Sequence, residues 1–209
     1  MVRILSIVFV PLIYFYGISI IRLFRAIDLG NNLHIYFLLG FIGALIIVRL
    51  FLRRISFFIT FEHELTHNLW AILTFNKPTG FHVEANNGGL FTYSGKGNFI
   101  ITLSPYFFQT LNLFLLFIML FIQLQFYPLF YGLIGFAAGY HLVTDISDIH
   151  LQQSDLRVNG LIFSFIVIIL GNILMFGLIL SFIISGWSGI WNFMTSGIKG
   201  LFDLVIQIF

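Results

Sequence analysis

The sequence predicts an all-α integral membrane protein of about six transmembrane helices, with one small β-hairpin and a C-terminal amphipathic helix. Three observations lead there. Of the 209 residues, 59% are hydrophobic and only 9% charged, whereas a soluble domain carries about 25% charged residues. A chain of this length leaves roughly a third of its surface exposed after folding, so much of that surface must be apolar, and lipid is the solvent that suits it. The apolar residues also gather into runs close to the roughly 20 residues a spanning helix needs. One stretch breaks the pattern with Gly, Asn and β-forming residues.

The elements follow in order. Ile4–Ile21 comes after Arg3, as the apolar region of a leader peptide would. It is too long for one, no small-x-small site follows it, and Arg22 and Arg25 come next, so a retained span is expected. Asp28-Leu29-Gly30-Asn31-Asn32 is a turn cluster ahead of the second run, Leu33–Leu52. Arg49, Arg53 and Arg54 mark a membrane surface before the third run, Ile55–Phe75. Phe81–Ala85 and Leu90–Ser94 then flank Asn86-Asn87-Gly88-Gly89, which predicts the hairpin. Phe99–Leu124 and Phe126–Val143 are the fourth and fifth runs, divided by Gln123, Gln125 and Pro128, and Leu161–Ile184 is the sixth. Beyond it, Trp187, Trp191, Lys199 and Asp203 stand among apolar residues, as in a helix lying in the membrane interface.

No internal repeat divides the chain. The expectation is a single membrane-embedded, multi-pass domain over residues 1–209, with its core at 55–184. With six spans, Lys and Arg split five against five between the two sides, so they set no orientation. The absence of cysteine excludes disulfides and thiolate ligands. The net charge of +2 rests on scattered basic residues, so a lipid bilayer and no nucleic acid is the expected partner.

The chemistry concentrates in His63-Glu64-Leu65-Thr66-His67, inside the third run. Histidines four apart share one helical face and can bind a single ion, Zn2+ being the usual one in this pattern. Glu64 would sit beside the metal rather than on it, as a base for the water that zinc acidifies to a pKa of about 7. Only six His and three Glu occur in the chain, so a chance match to the pattern is expected about 0.003 times. Ionisable residues within an apolar run are costly and mark function.

A catalytic zinc site takes three protein ligands and an open position. Trp70 and Leu73 stand where one class of such enzymes carries Gly and His. The sole Glu after His67 is Glu84, close by in the hairpin, which leaves Asp145, Asp148, Asp155 and Asp203. His141, Asp145 and Asp148 share a helical face, whereas His82 and His150 fit solvated positions. Asn68, Asn159 and Asn172 could each stabilise an oxyanion.

FEHELTHNLWAIL, the Gly-rich hairpin, NFIITLSPYFF and GYHLVTDISDIHLQQSDLRVNG together resemble the site-2 protease family of intramembrane zinc metalloproteases, over about Ile55 to Ile184. The better-known members carry an Asp ligand within Asn-x-x-Pro-x-x-Pro-Leu-Asp-Gly. Here Gln153-Ser154-Asp155-Leu156 occupies that region, without the prolines or the Gly. The resemblance implies His63, His67 and Asp155 as metal ligands, ahead of Asp145 and Asp148, with Glu64 as the catalytic base. It implies an endopeptidase acting on transmembrane or membrane-adjacent segments of membrane-protein substrates. The alternative is a zinc-binding membrane chaperone, regulatory subunit or metal transporter without proteolytic turnover. Retention of Glu64, and the lack of carboxylates within the first, second and fourth runs, favour the protease.

Overall fold

α1 (Val2–Arg25) and α2 (Asn32–Phe51) are the first two apolar runs. The computed structural model describes residues 2–84 and 88–208. Between these helices, Asp28 accepts the Gly30 N–H and Asn31 caps α2 by accepting the Leu33 N–H, the local bonds that make Asx residues turn formers. α3 (Ser56–Leu73) carries the histidine motif. β1 (Lys77–Glu84) and β2 (Gly88–Ser94) pair antiparallel, with Phe81 opposite Phe91 and His82 opposite Leu90. β1 starts earlier than expected, and a register irregularity between Pro78 and Gly80 lets it do so. Ala85, the expected end of the first strand, and the expected turn residues Asn86 and Asn87 lie outside the described residues, whereas Gly88 and Gly89, also expected in the turn, belong to β2.

The fourth run is not one helix. α4 (Phe99–Leu103) passes into a 3-10 turn at Ser104–Tyr106, and α5 (Thr110–Met119) leaves at an angle of 81°. Pro105 has no N–H to continue the α-helical ladder, which passes into the 3-10 turn there, and the bend follows at residues 107–109. α6 (Tyr127–Asp148) follows a second 3-10 turn, and the short α7 (Ser154–Val158) leads into α8 (Leu161–Ile208).

α8 departs from the expected interfacial tail. At Gly186 the backbone takes φ 62° and ψ −149°, a region open to glycine, and the chain turns back on itself. Phe193 thereby packs over Gly177. Sixteen residues of straight helix would hold those two about 24 Å apart. The second limb lies along α1, where Tyr16 donates to the Met194 carbonyl at 2.6 Å and the Ser19 and Ser196 hydroxyls meet at 3.0 Å. The Trp, Lys and Asp of this limb look interfacial in sequence, but its Gly197 and Gly200 receive Tyr16 and Phe15.

α2 and α6 form a second pair at backbone contact. A Cβ at Gly135 would collide with the Phe37 carbonyl, and one at Gly40 with that of Gly132. Small residues allow this approach, which is a device of apolar helix pairs. The largest buried cluster joins this pair to α5 and α8 through Phe37, Leu116, Ile134 and Ile179.

Among the described residues, four helices are long and apolar enough to cross a membrane: Leu5–Arg25, Asn32–Phe51, Leu124–Asp148 and Leu161–Gln207, the last counted as one despite its reversal at Gly186; the bent pair Phe99–Tyr106 and Thr110–Met119 would be a fifth. α3, expected as a span, is not among them, since two glutamates and two histidines dilute its 18 residues.

Candidate metal centre

His63 and His67 project from one face of α3, one turn apart, with ring centroids separated by 4.8 Å. Asp155, from the first turn of α7, completes a trio. Its Oδ2 lies 3.7 Å from Nε2 of each histidine, and the three ligand atoms all fall within 4.8 Å of one another. Bonds of about 2.0–2.1 Å in a tetrahedral site put ligand atoms roughly 3.3–3.4 Å apart. The two imidazole–carboxylate spacings therefore need only a small contraction to close on one ion, and two imidazoles with one carboxylate are a donor set that suits zinc.

Neighbouring groups aim these ligands. His67 Nδ1 donates to the Ile101 carbonyl at 2.6 Å, which puts the ring proton on Nδ1 and leaves the Nε2 lone pair facing Asp155. The sequence explains why that carbonyl is available. Its ordinary helical partner would be the N–H of the residue four positions on, and that residue is Pro105. Tyr106, in the same turn, donates to Asp155 Oδ2 at 3.1 Å and sets its ring edge-on to His63 at 5.2 Å. Phe91 of β2 lies flat against His67, 5.8 Å between centroids and 5° from parallel.

Burial works against charge on Asp155, but attraction to the His63 and His67 rings, 3.7 Å away, when these are protonated outweighs it and holds the carboxyl well below the usual carboxylate range. Asp155 thus stays ionised, the form a metal ligand requires.

Glu64 is buried directly under β2, so close that a Cβ on Gly89 would collide with its side chain. A cavity of about 450 Å³ opens here, lined by His63, Glu64, His67 and Asp155 on one side and by Gly88 to Phe91 and Tyr93 of β2 on another. Among the described residues the sheet has two strands, so the outer edge of β2 pairs with no third strand there.

The other candidates lie elsewhere. Asp145 pairs with His141 on α6, 3.2 Å away, rather than with the trio. Asp148 lines the cavity but is not one of the three clustered ligands. Glu84 is engaged with His82 at 2.7 Å, and His150 and Asp203 are exposed. None of the three asparagines lines the cavity among the described residues. Asn159 donates to Thr102 and the Asp155 carbonyl, Asn172 to the Tyr106 and Ile168 carbonyls, and Asn68 to the Glu64 carbonyl. Sequence reasoning missed Ile101, Tyr106 and Phe91. Only Pro105, four residues after Ile101, could have flagged a free carbonyl.

No family model matches the chain, and no curated protein or solved structure matches it.

Proposed function

We propose that the chain is an integral-membrane zinc endopeptidase, similar to site-2 proteases, that cuts transmembrane or membrane-adjacent segments of other proteins. The observation that carries this reading is the convergence of His63, His67 and Asp155 beside Glu64, although 88 residues separate His67 from Asp155. Support for a bilayer setting comes from the four long apolar helices and from large apolar side chains left exposed on them, Ile7, Leu50 and Ile162 among them.

Zinc in such a site supplies a Lewis acid for the scissile carbonyl and acidifies the attacking water. The rest falls to the chain's own residues. Glu64 takes a proton from that water and returns it to the leaving amine. Asp155 and the two imidazoles would hold the ion, the carboxylate alone offsetting part of its charge, and Tyr106 and the Ile101 carbonyl keep two of those ligands from rotating away. A peptide bond inside an intact helix has its carbonyl engaged, so the substrate must be extended when cut. β2 lines the cavity, and its unpaired edge suits capture of such a segment through main-chain hydrogen bonds.

The test is Glu64→Gln in the full chain, with bound zinc counted and cleavage of a model transmembrane substrate followed. Cleavage should drop by about 10²–10⁴-fold with zinc retained, while His63→Ala should lose both. Undiminished turnover in Glu64→Gln would refute the base. A zinc-loaded native chain that leaves every substrate intact would favour the non-proteolytic alternative.

A further inference from the structure

The buried clusters sort the helix ends into two levels. Leu5 and Phe9 of α1, Leu156 of α7 and Phe163 of α8 pack together, with Ile149 from just past α6. At the opposite level, Leu23 and Ile27 at the end of α1 join Leu33 of α2, Tyr131 of α6 and Leu180 of α8. α2 then runs back to the first level, where Val48 and Leu52 pack with Val143 of α6 and with Ile55 and Ile59 at the start of α3. The far end of α3 stays near that level too. Asn76, just past it, accepts the Gly97 N–H at 3.1 Å, and the Phe99 ring meets Phe163 at 5.2 Å. The candidate metal centre belongs to this level, since Asp155 adjoins Leu156.

Six spans would divide the basic residues evenly, but these contacts gather them. Arg49, Arg53, Arg54, Lys77, Lys96 and Arg157 all fall at the metal-centre level, and all six are exposed. At the opposite level stand Arg22 and Arg25, at the end of α1. Arg3 opens α1 at the metal-centre level, and Lys199 lies partway along the second limb of α8. Among the described residues none of the six forms an ion pair, because a histidine makes every ion pair there. Arg54 instead lies over the Phe51 ring, 5.5 Å from its centroid, a pairing that suits the boundary between lipid tails and headgroups.

We infer that this basic face seats on anionic phospholipid headgroups of the cytoplasmic leaflet, and so orients the chain with its metal-centre level on that side. Lys and Arg beside the spans set orientation, and carboxylates contribute little. Six against two is a bias where an even division is none. Anionic lipids of the cytoplasmic leaflet attract basic residues held close to the surface. Exposed arginines without a carboxylate partner leave their charge for those headgroups. The inference rests on the membrane setting of the proposed function and not on proteolysis.

The chain has no cysteine, so single-cysteine variants report accessibility directly. Leu29 lies in the exposed turn between α1 and α2, and Gln152 in the exposed loop before α7. In spheroplasts of a bacterium expressing the full chain, a membrane-impermeant maleimide should label Leu29→Cys, and should label Gln152→Cys only after lysis. The reverse pattern, or labelling of both or of neither from outside, overturns the orientation. For the headgroups, the purified chain is melted in detergent micelles doped with phosphatidylglycerol or with phosphatidylcholine. Phosphatidylglycerol should give the higher unfolding temperature, and Arg49→Gln/Arg53→Gln/Arg54→Gln should erase most of the difference. No difference in the native chain, or an undiminished one in the triple variant, overturns the lipid surface. Neither readout needs cleavage, so a chain that cuts nothing leaves both outcomes standing.

Discussion

Tyr106 holds the one ligand that arrives from a distant part of the chain. Its hydroxyl donates to Asp155, and α7, which carries Asp155, is only five residues long, too short to fix a side chain by itself. Partners of this kind are worth about 10–100-fold in metal affinity. Tyr106→Phe keeps the ring against His63 and removes only the hydroxyl, so metal affinity should fall by about that factor while unfolding temperature changes little. Unchanged affinity in a competition titration would mean that Asp155 is held by the histidines alone. At this scale the sequence is uneven. His63 and His67 follow from spacing within a single helix. Asp155 follows only from resemblance, because nothing local in Gln153-Ser154-Asp155-Leu156 marks a ligand. Tyr106 and Ile101 could not be foreseen, since their contacts cross 49 and 34 residues of chain.

The elements that position the site are the hairpin and the proline-broken turn. β2 lies on Glu64 at Gly89, and the only atoms a methyl there would meet first belong to the Glu64 side chain. A flexible side chain yields cheaply, so Gly89→Ala should fold normally and bind zinc normally. It should nonetheless displace the base, and misplacement by about 1 Å can cost on the order of 100-fold in turnover. Full activity in that variant would show that Glu64 has room the packing denies it. The α2–α6 pair gives the opposite case. A Cβ at Gly135 meets backbone of Phe37 and Phe41, which cannot swing aside, whereas one at Gly43 of α2 meets nothing. Gly135→Ala should therefore destabilise by about 1–3 kcal/mol, and Gly43→Ala should be neutral or stabilising by up to about 1 kcal/mol. Thermal unfolding in detergent separates them, and equal shifts would dismiss the close packing. The hairpin was legible because its composition contrasts with everything around it. The break after Tyr106 is hidden within a run whose overall apolarity outweighs its few polar residues and Pro105, and the reversal at Gly186 within residues whose mix suits an interface equally well.

The whole molecule is arranged around two helix pairs, α1 with the second limb of α8 and α2 with α6, with the candidate metal centre carried on the shorter elements. Polar side chains turn inward: Thr66, His67, Gln109, Asn112, His141 and Asp145 are all buried. Apolar ones turn outward, with Ile42 and Ile46 of α2 more than half exposed while Phe37 and Val48 of the same helix are buried. A water-soluble fold has the reverse distribution, and exposed apolar patches beyond a few hundred Å² drive association in water. The chain should therefore remain with membranes through high-salt and alkaline carbonate washes, and detergent alone should release it. In reconstituted bilayers, a lipid-dissolved carbene probe should label Ile42 and Ile46 and spare Phe37 and Val48. Salt or carbonate release as a monodisperse monomer would contradict a membrane-spanning arrangement. Even labelling around α2 would instead contradict the α2–α6 pairing, because a helix free of its partner presents every face to lipid.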